Sequence, residues 1–68
     1  MKYALTTING EIKRCTVLEY WEPYYKVRYT KGNEMWFALV RPEKCVFFDS
    51  TEQASEYLKE YGTHFIPV

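Results

Sequence analysis

The sequence predicts a mainly β protein, namely a small antiparallel barrel or a strongly curled sheet with one C-terminal α-helix packed on it. Two observations support this fold class. Residues 2–48 contain short runs rich in Val, Ile, Tyr, Trp and Phe separated by turn signals, as in consecutive antiparallel strands. Residues 49–62 instead carry apolar side chains at helical spacing behind capping residues. A chain of 68 residues is expected to form a single domain, 1–68.

The first predicted hairpin joins strands over residues 2–8 and 11–18 at the turn dipeptide Asn9-Gly10. A two-residue loop would separate the apolar residues of the two strands onto opposite faces, whereas a three-residue loop with a bulge at Gly10 would bring them to one face. These apolar residues are Tyr3, Leu5, Cys15 and Val17. We expect the bulged loop, because it gathers the apolar side chains in one core.

Residues 19–23, Glu-Tyr-Trp-Glu-Pro, break the strand alternation. The segment ends at Pro23, which has no N–H to donate to a ladder, so a loop is predicted here. Two aromatic side chains, Tyr20 and Trp21, are unusual in a loop and make this segment a candidate for binding.

The clearest hairpin is predicted over residues 24–40, with a two-residue turn at Gly32-Asn33 and a positive φ at Gly32. This register places one set of side chains together on a core face. The members of that face are Tyr25, Val27, Tyr29, Trp36, Ala38 and Val40. The opposite face carries Lys26, Arg28, Met35, Phe37 and Leu39. Residues 34–40 are therefore apolar on both sides, which predicts a strand covered on both faces.

The remaining predicted β structure lies on either side of the helix. Residues 41–43 form a turn with proline at its centre, and residues 44–48 form a short strand that continues the meander. Residues 63–68 are predicted to add a last short strand, which belongs at a sheet edge because it contains Pro67.

The helix is predicted from its caps and its apolar stripe. Two capping boxes compete for its start, each with a short polar residue three positions before Glu or Gln. They are Asp49 with Glu52 and Ser50 with Gln53. The apolar stripe has the spacing i, i+3, i+4 and i+7, and Gly62 suits a left-handed C-terminal cap. The stripe consists of Ala54, Tyr57, Leu58 and Tyr61.

One run of the chain resembles a known family. The pattern Tyr-Lys-Val-Arg-Tyr-x-x-Gly-x-x-x-Trp begins at Tyr25 and continues to Pro-Glu-Lys-Cys-Val at residues 42–46. Over residues 24–46 the chain resembles the strand-turn-strand core of small SH3-like barrels, among them the Tudor and chromo-type modules. The resemblance implies an SH3-like barrel and a binding role, since the family contains methyl-ligand readers, nucleic-acid binders, protein adaptors and subunits of larger machines.

Composition argues against several classes of function. Nine basic and nine acidic residues give a formal net charge of zero, so no global field favours nucleic acid or a membrane surface. Residues 2–48 hold eight basic and five acidic residues, and residues 49–68 hold one basic and four acidic residues. The two parts therefore carry +3 and −3, which is consistent with internal pairing or with a polar partner.

Cofactor and targeting signals are not predicted. Cys15 and Cys45 have no paired spacing such as Cys-x-x-Cys, so neither zinc nor a disulfide framework is expected, and both are interpreted as small buried hydrophobes. The N-terminus has no apolar signal core, and no apolar run is long enough to cross a membrane. We therefore expect a cytoplasmic protein without a cofactor.

An enzyme is not expected from this sequence. The only side chain with an ordinary pKa near neutrality is His64, close to the C-terminal end. Three carboxylates at Glu52, Glu56 and Glu60 are predicted along one exposed helix side, where no pocket would shift their pKa for acid and base catalysis.

The first candidate surface for binding is aromatic and acidic. Tyr20, Trp21 and Tyr24, interleaved with Glu19 and Glu22, have the composition of an aromatic box for a cation. Trp21 is equally a candidate anchor for a protein partner that offers Arg or Lys to the flanking carboxylates. The alternative is that Trp21 folds back as a lid over one end of the barrel.

The acidic helix side is a second candidate for protein binding. Glu52, Glu56 and Glu60 place like charges four positions apart, which costs a few tenths of a kcal/mol per pair unless a basic partner neutralises them. The alternative is an ordinary solvated helix face.

A nucleic-acid interface is the alternative from another class of function. Tyr24, Lys26, Arg28 and Phe37 could track a single strand, with rings stacking on bases and cations contacting phosphates. The competing structural interpretation places Phe37 and Leu39 under the helix, with the two cations extending toward Glu56 or Glu60.

The sequence therefore predicts a small non-enzymatic binding module that docks to a protein partner. By analogy with other small domains that lack a catalytic set, we expect a phage- or plasmid-type inhibitor or an accessory subunit. Both a monomer and a homodimer are compatible with the sequence.

Overall fold

The computed structural model describes residues 2–62 and contains one five-stranded antiparallel sheet followed by one helix. The strands are β1 (Tyr3–Ile8), β2 (Glu11–Trp21), β3 (Tyr24–Lys31), β4 (Glu34–Val40) and β5 (Cys45–Phe48), and the helix is α1 (Thr51–Tyr61). A one-turn 3₁₀ helix at Pro42–Lys44 precedes β5. The predicted fold class is confirmed as a mainly β protein with one C-terminal helix. The strand predicted over 63–68, and His64 with it, lie outside the described residues.

The sheet has the strand order β4-β3-β2-β1-β5. The predicted meander is correct for β1 to β4, but β5 returns to pair with β1 instead of continuing beside β4. The rings of Tyr25 on β3 and Phe47 on β5 lie 5.1 Å apart, although two strands separate β3 from β5 in the sheet. The sheet is therefore strongly curled. We call the face that carries these two rings the concave face and the opposite one the convex face.

The concave face encloses one core. Cys15, Val27 and Tyr29 are buried there, with Ile8, Val17, Tyr25, Ala38 and Val40 packed around them. The predicted register of the central hairpin is confirmed, since Tyr29 lies opposite Trp36 and Val27 lies opposite Ala38. The prediction of a buried Trp36 is wrong. Its indole lies on the concave side of strand β4 at the rim of the sheet and is 44% exposed.

The convex face carries the helix over β1 and β5. Leu5 and Ala54 are buried at this contact, packed against Ile12, Val46, Phe48, Tyr57 and Leu58. The guanidinium of Arg14 on β2 donates a hydrogen bond of 2.8 Å to the hydroxyl of Ser55. The apolar stripe predicted for the helix is thus the docked side, except that Tyr61 is exposed and contacts Tyr57 at a ring separation of 4.5 Å.

The helix begins and ends at predicted residues. The hydroxyl of Ser50 accepts a hydrogen bond of 3.2 Å from the amide of Gln53. Of the two predicted capping residues, Ser50 is therefore the N-cap. Gly62 has a φ of 57° and its amide donates to the carbonyl of Leu58. A positive φ is readily available to glycine because it lacks Cβ.

The predicted bulged loop of the first hairpin is wrong. Ile8 lies directly opposite Glu11, and Asn9 and Gly10 form a two-residue turn with φ values of 52° and 82°. Asn-Gly suits this turn because both of its central positions require a positive φ. The apolar residues of β1 and β2 therefore point to both faces. This arrangement is stable because the helix covers the convex face here and the curl of the sheet encloses the concave face.

The loop predicted over residues 19–23 is also wrong. Strand β2 continues to Trp21, and only Glu22 and Pro23 form the turn. The register between β2 and β3 shifts between Val17 and Glu19, which is a β-bulge. Because a bulge adds one residue to one strand, it interrupts the alternation that a regular strand would show.

Replacing Leu58 by Ala is expected to lower the free energy of unfolding by about 2 kcal/mol. Leu58 packs on the helix side of the sheet but is partly rather than fully buried, so we expect the low end of the range for Leu to Ala. Urea denaturation measures the change, with Glu56→Ala on the exposed side as the control. A loss below about 0.5 kcal/mol, as for surface substitutions, would contradict the docked helix.

Candidate functional site

Half of the convex face carries large exposed apolar side chains. Helix α1 packs over β1 and β5, and within residues 2–62 no other element covers β3, β4 and the end of β2. The exposed fractions of four side chains there are 49% for Trp21, 58% for Met35, 56% for Phe37 and 51% for Leu39. Lys26 lies among them. We call these five residues the open patch.

The strand register places the members of the open patch on one face. Lys26 lies opposite Leu39 and Arg28 lies opposite Phe37, and directly paired residues project to the same side. Trp21 reaches this face because of the bulge in β2. Without the extra residue, regular alternation from Thr16 would place Trp21 on the concave face.

The centre of the open patch is a cation between two rings. The Nζ of Lys26 lies 5.2 Å from the ring centroid of Trp21 and 5.6 Å from that of Phe37. Both distances are within the range of cation–π attraction. The side chains surround an open recess of about 240 Å³, lined by Trp21, Lys26, Phe37, Ala38 and Leu39. The lysine thus holds its ammonium over the rings, while both rings and Leu39 stay about half-exposed.

The charges around the open patch are mainly basic. Arg28 is on the same face as Lys26, and the guanidinium of Arg41 lies 5.4 Å from the ring centroid of Tyr24. Glu19 lies directly opposite Lys26, so its carboxylate projects to the same face. The guanidinium of Arg41 is itself paired with the carboxylate of Glu43, at 3.5 Å. Lys26 and Arg28 against Glu19 leave a small positive excess on this face.

The aromatic box predicted from Tyr20, Trp21 and Tyr24 does not form. Trp21 and Tyr24 are directly paired on the convex side, whereas Tyr20 projects to the concave side and contacts Tyr25 at a ring separation of 4.7 Å. The ring faces on the convex side are approached by the protein's own cations, Lys26 and Arg41. These rings therefore do not enclose a site for an external cation.

Two predicted alternatives for the aromatic residues are wrong. Phe37 and Leu39 do not lie under the helix, because α1 is docked at the other side of the convex face. Lys26 consequently contacts Trp21 and Phe37 and is not near the helix carboxylates. Trp21 is half-exposed on the face of the sheet, which is not the position of a lid over a core.

The two halves of the predicted protein-binding set are separate. Glu52, Glu56 and Glu60 are exposed on the side of α1 that faces away from the sheet. Glu22 is exposed in the turn between β2 and β3. The residues predicted for nucleic acid are by contrast brought together, since Tyr24, Lys26, Arg28 and Phe37 share the convex face.

Met35 and Leu39 belong to the open patch but are absent from the predicted sites. The alternation of the central hairpin does place them on the face of Lys26 and Arg28. The missing information was the position of the helix, because the same alternation is expected for a strand that the helix covers.

The cysteines lie on the concave face. Burial raises the pKa of Cys15 to about 11, with a smaller contribution from Cys45. Burial also raises the pKa of Cys45. Both thiols are therefore protonated at neutral pH, unlike reactive cysteines, in which the pKa is lowered.

Neither a metal site nor a membrane-spanning helix is found among the described residues. Within residues 2–62 no group of three side chains is arranged to hold a metal ion. The helix in that part of the chain is too short and too polar to span a bilayer.

Comparison with family models, curated proteins and solved structures found no match for this chain. The resemblance of residues 24–46 to SH3-like barrels stays a prediction.

Proposed function

We propose that this protein is a small non-enzymatic module that docks to a protein partner through the open patch. One observation carries the proposal: four large apolar side chains are about half-exposed side by side, with a lysine among them. Aromatic residues, Met and Arg are enriched at protein interfaces, and Arg28 lies on the same face as this cluster. Clusters of this kind on a soluble domain mark interaction surfaces.

The chemistry of the open patch favours a protein over other ligands. Met35 and Leu39 are flexible aliphatic side chains, which pack well in an apolar interface but do not stack on bases. The ammonium of Lys26 already lies over Trp21 and Phe37, so an external cation would have to displace it. A partner with its own apolar side chains can contact the exposed parts of these rings, and of Met35 and Leu39, without replacing the ammonium.

The charge of the open patch defines the complementary partner. Arg41 is paired with Glu43, but Lys26 and Arg28 still outnumber Glu19 on this face, so a partner with Asp or Glu around an apolar centre is favoured over a basic one. This differs from the basic partner expected from the sequence, because the bulge moves Trp21 beside Lys26. A module of this kind suits an inhibitor or accessory subunit, which acts by occupying a surface of a larger protein.

Affinity capture with matched variants tests the proposal. Wild-type protein and Trp36→Ala are expected to retain the same protein from a lysate of the source cells, and Trp21→Ala and Phe37→Ala are expected to lose it. Trp36 is the matched control because it is also about half-exposed but lies on the concave side. Nuclease treatment should leave the capture unchanged. Equal retention by all four proteins would contradict docking through the open patch.

Single-stranded nucleic acid is a second candidate ligand. The observation in its favour is that Tyr24, Lys26, Arg28 and Phe37 share one face with Trp21. Such a surface resembles a stacking platform with cations that follow the phosphates. The field is local, however, because the chain has no net charge.

The nucleic-acid candidate predicts binding that weakens steeply with salt. Because each phosphate contact releases a counterion, Arg28→Ala should reduce the slope of log K against log salt by about one. Fluorescence anisotropy with a labelled oligonucleotide measures this slope, and Lys44→Ala, an exposed cation before β5, is the control. Absence of binding at about 50 mM salt would eliminate this candidate.

A further inference from the structure

Strand β4 lies at the edge of the sheet. Among the described strands it pairs only with β3, and its seven residues contain no proline, lysine or arginine. Natural edge strands are commonly protected from pairing by charges, prolines, bulges or a covering element. Only Glu34, at one end, supplies such protection here. The strand is therefore suited to pair with another strand.

The turn of the hairpin determines which backbone groups are available. In a two-residue hairpin the closing residues exchange hydrogen bonds, so Lys31 and Glu34 form the first bonded pair. The bonded positions then recur at every second residue of β4, through Trp36, Ala38 and Val40. The N–H and C=O groups of Met35, Phe37 and Leu39 consequently point away from β3 toward the free edge.

We propose that β4 pairs antiparallel with β4 of a second copy of this chain, about a two-fold axis at Phe37. In this register Phe37 exchanges both backbone hydrogen bonds with Phe37 of the second copy, and Met35 lies opposite Leu39. All seven residues of β4 then have a partner, and the sheet continues across both copies. The outward-pointing backbone groups are the ones that this register requires.

Side chains and charge support a second copy as the occupant. Met35, Phe37 and Leu39 project to the convex face, so their pairing joins two open patches into one continuous apolar surface. The same register places Glu34 opposite Val40, so no like charges meet along the pair. The chain has no net charge to keep two copies apart. Dimer formation does not depend on the protein-docking function, because strand pairing uses the edge and leaves the convex face open.

Concentration dependence is the first test. By sedimentation velocity, the mass of the wild-type protein should rise from 8.2 kDa toward twice that value between about 10 µM and 1 mM, the range expected for a small interface. Hydrogen exchange of the amides of Met35, Phe37 and Leu39 should slow over the same range. The amides of Trp36 and Ala38, which bond to β3, are the internal control. A wild-type protein that stays monomeric throughout would overturn the proposal.

Two sets of variants test the register. Met35→Pro removes an outward N–H but none that bonds to β3, and should weaken the dimer at least tenfold, whereas Met35→Thr keeps that N–H and should weaken it less.

The second set of variants tests which residues face each other. Met35→Lys/Leu39→Lys and Met35→Glu/Leu39→Glu should each be monomeric, because like charges would lie opposite each other. Their equimolar mixture should dimerise at least tenfold more tightly than either alone. A mixture no tighter than its components, or a dimer unaffected by Met35→Pro with an unchanged thermal melt, would overturn the register.

Discussion

Replacing Val27 by Asp is expected to leave the protein unfolded at room temperature. Val27 has no solvent exposure and lies within the concave core, opposite Ala38 on one side and Val17 on the other. An unpaired carboxylate in such a position costs several kcal/mol. A domain of this size has about 3 to 5 kcal/mol of stability in total. Circular dichroism should therefore show loss of the sheet without added denaturant.

The control for this substitution is Thr30→Asp. Thr30 is on the same strand but is exposed, so aspartate there meets solvent and should cost less than about 1 kcal/mol. A Val27→Asp protein with the melting curve of the wild type would contradict the register that buries Val27.

Replacing Trp21 by Ala is expected to weaken the complex with a purified protein partner by at least about 2 kcal/mol, roughly thirtyfold in Kd. Trp21 is half-exposed in the free protein and borders the recess beside Lys26, so a partner would complete its burial. The free energy of unfolding should fall by only about 1 kcal/mol, because the substitution removes the cation–π contact with Lys26 while half of the side chain already faces solvent in the free protein. Isothermal titration calorimetry and thermal melting together measure the two effects.

Trp36→Ala separates the effect of position from the loss of any exposed indole. Trp36 is 44% exposed on the concave side of β4, with Lys31 near its ring, and its replacement should leave the affinity within a factor of about two. If Trp21→Ala instead lowers the melting temperature and leaves binding intact, Trp21 is a structural residue. The acidic side of α1 then becomes the candidate interface.

Several features were predictable from the sequence because short-range geometry determines them. The turn at Gly32-Asn33 defines the register of the central hairpin, and each side chain then follows by alternation. The start and end of α1 were predictable for a similar reason, since the cap at Ser50 and the positive φ at Gly62 depend on neighbouring residues. The alternation therefore assigns the residues of the open patch on β3 and β4 to one face, although it does not predict their exposure.

The first hairpin shows where local reasoning is insufficient. Asn9-Gly10 supports a two-residue turn, but the expectation of one core face favoured a bulge instead. Its register depends on whether both faces of β1 and β2 are covered. That is decided by α1 on one side and by the curl of the sheet on the other, which are contacts between residues distant in the chain.

The amino-acid sequence by itself determined the strands of the central hairpin, the helix with its caps, and the alternation that groups Lys26 with Phe37 and Leu39. The tertiary structure alone decided which of these residues are accessible. Strand β5 pairs with β1, so the helix that follows it docks at that side of the sheet and leaves the other side open. The bulge in β2 turns Trp21 onto the same open side. Accessibility depends on long-range packing because an apolar strand has the same sequence pattern whether a helix or a partner covers it.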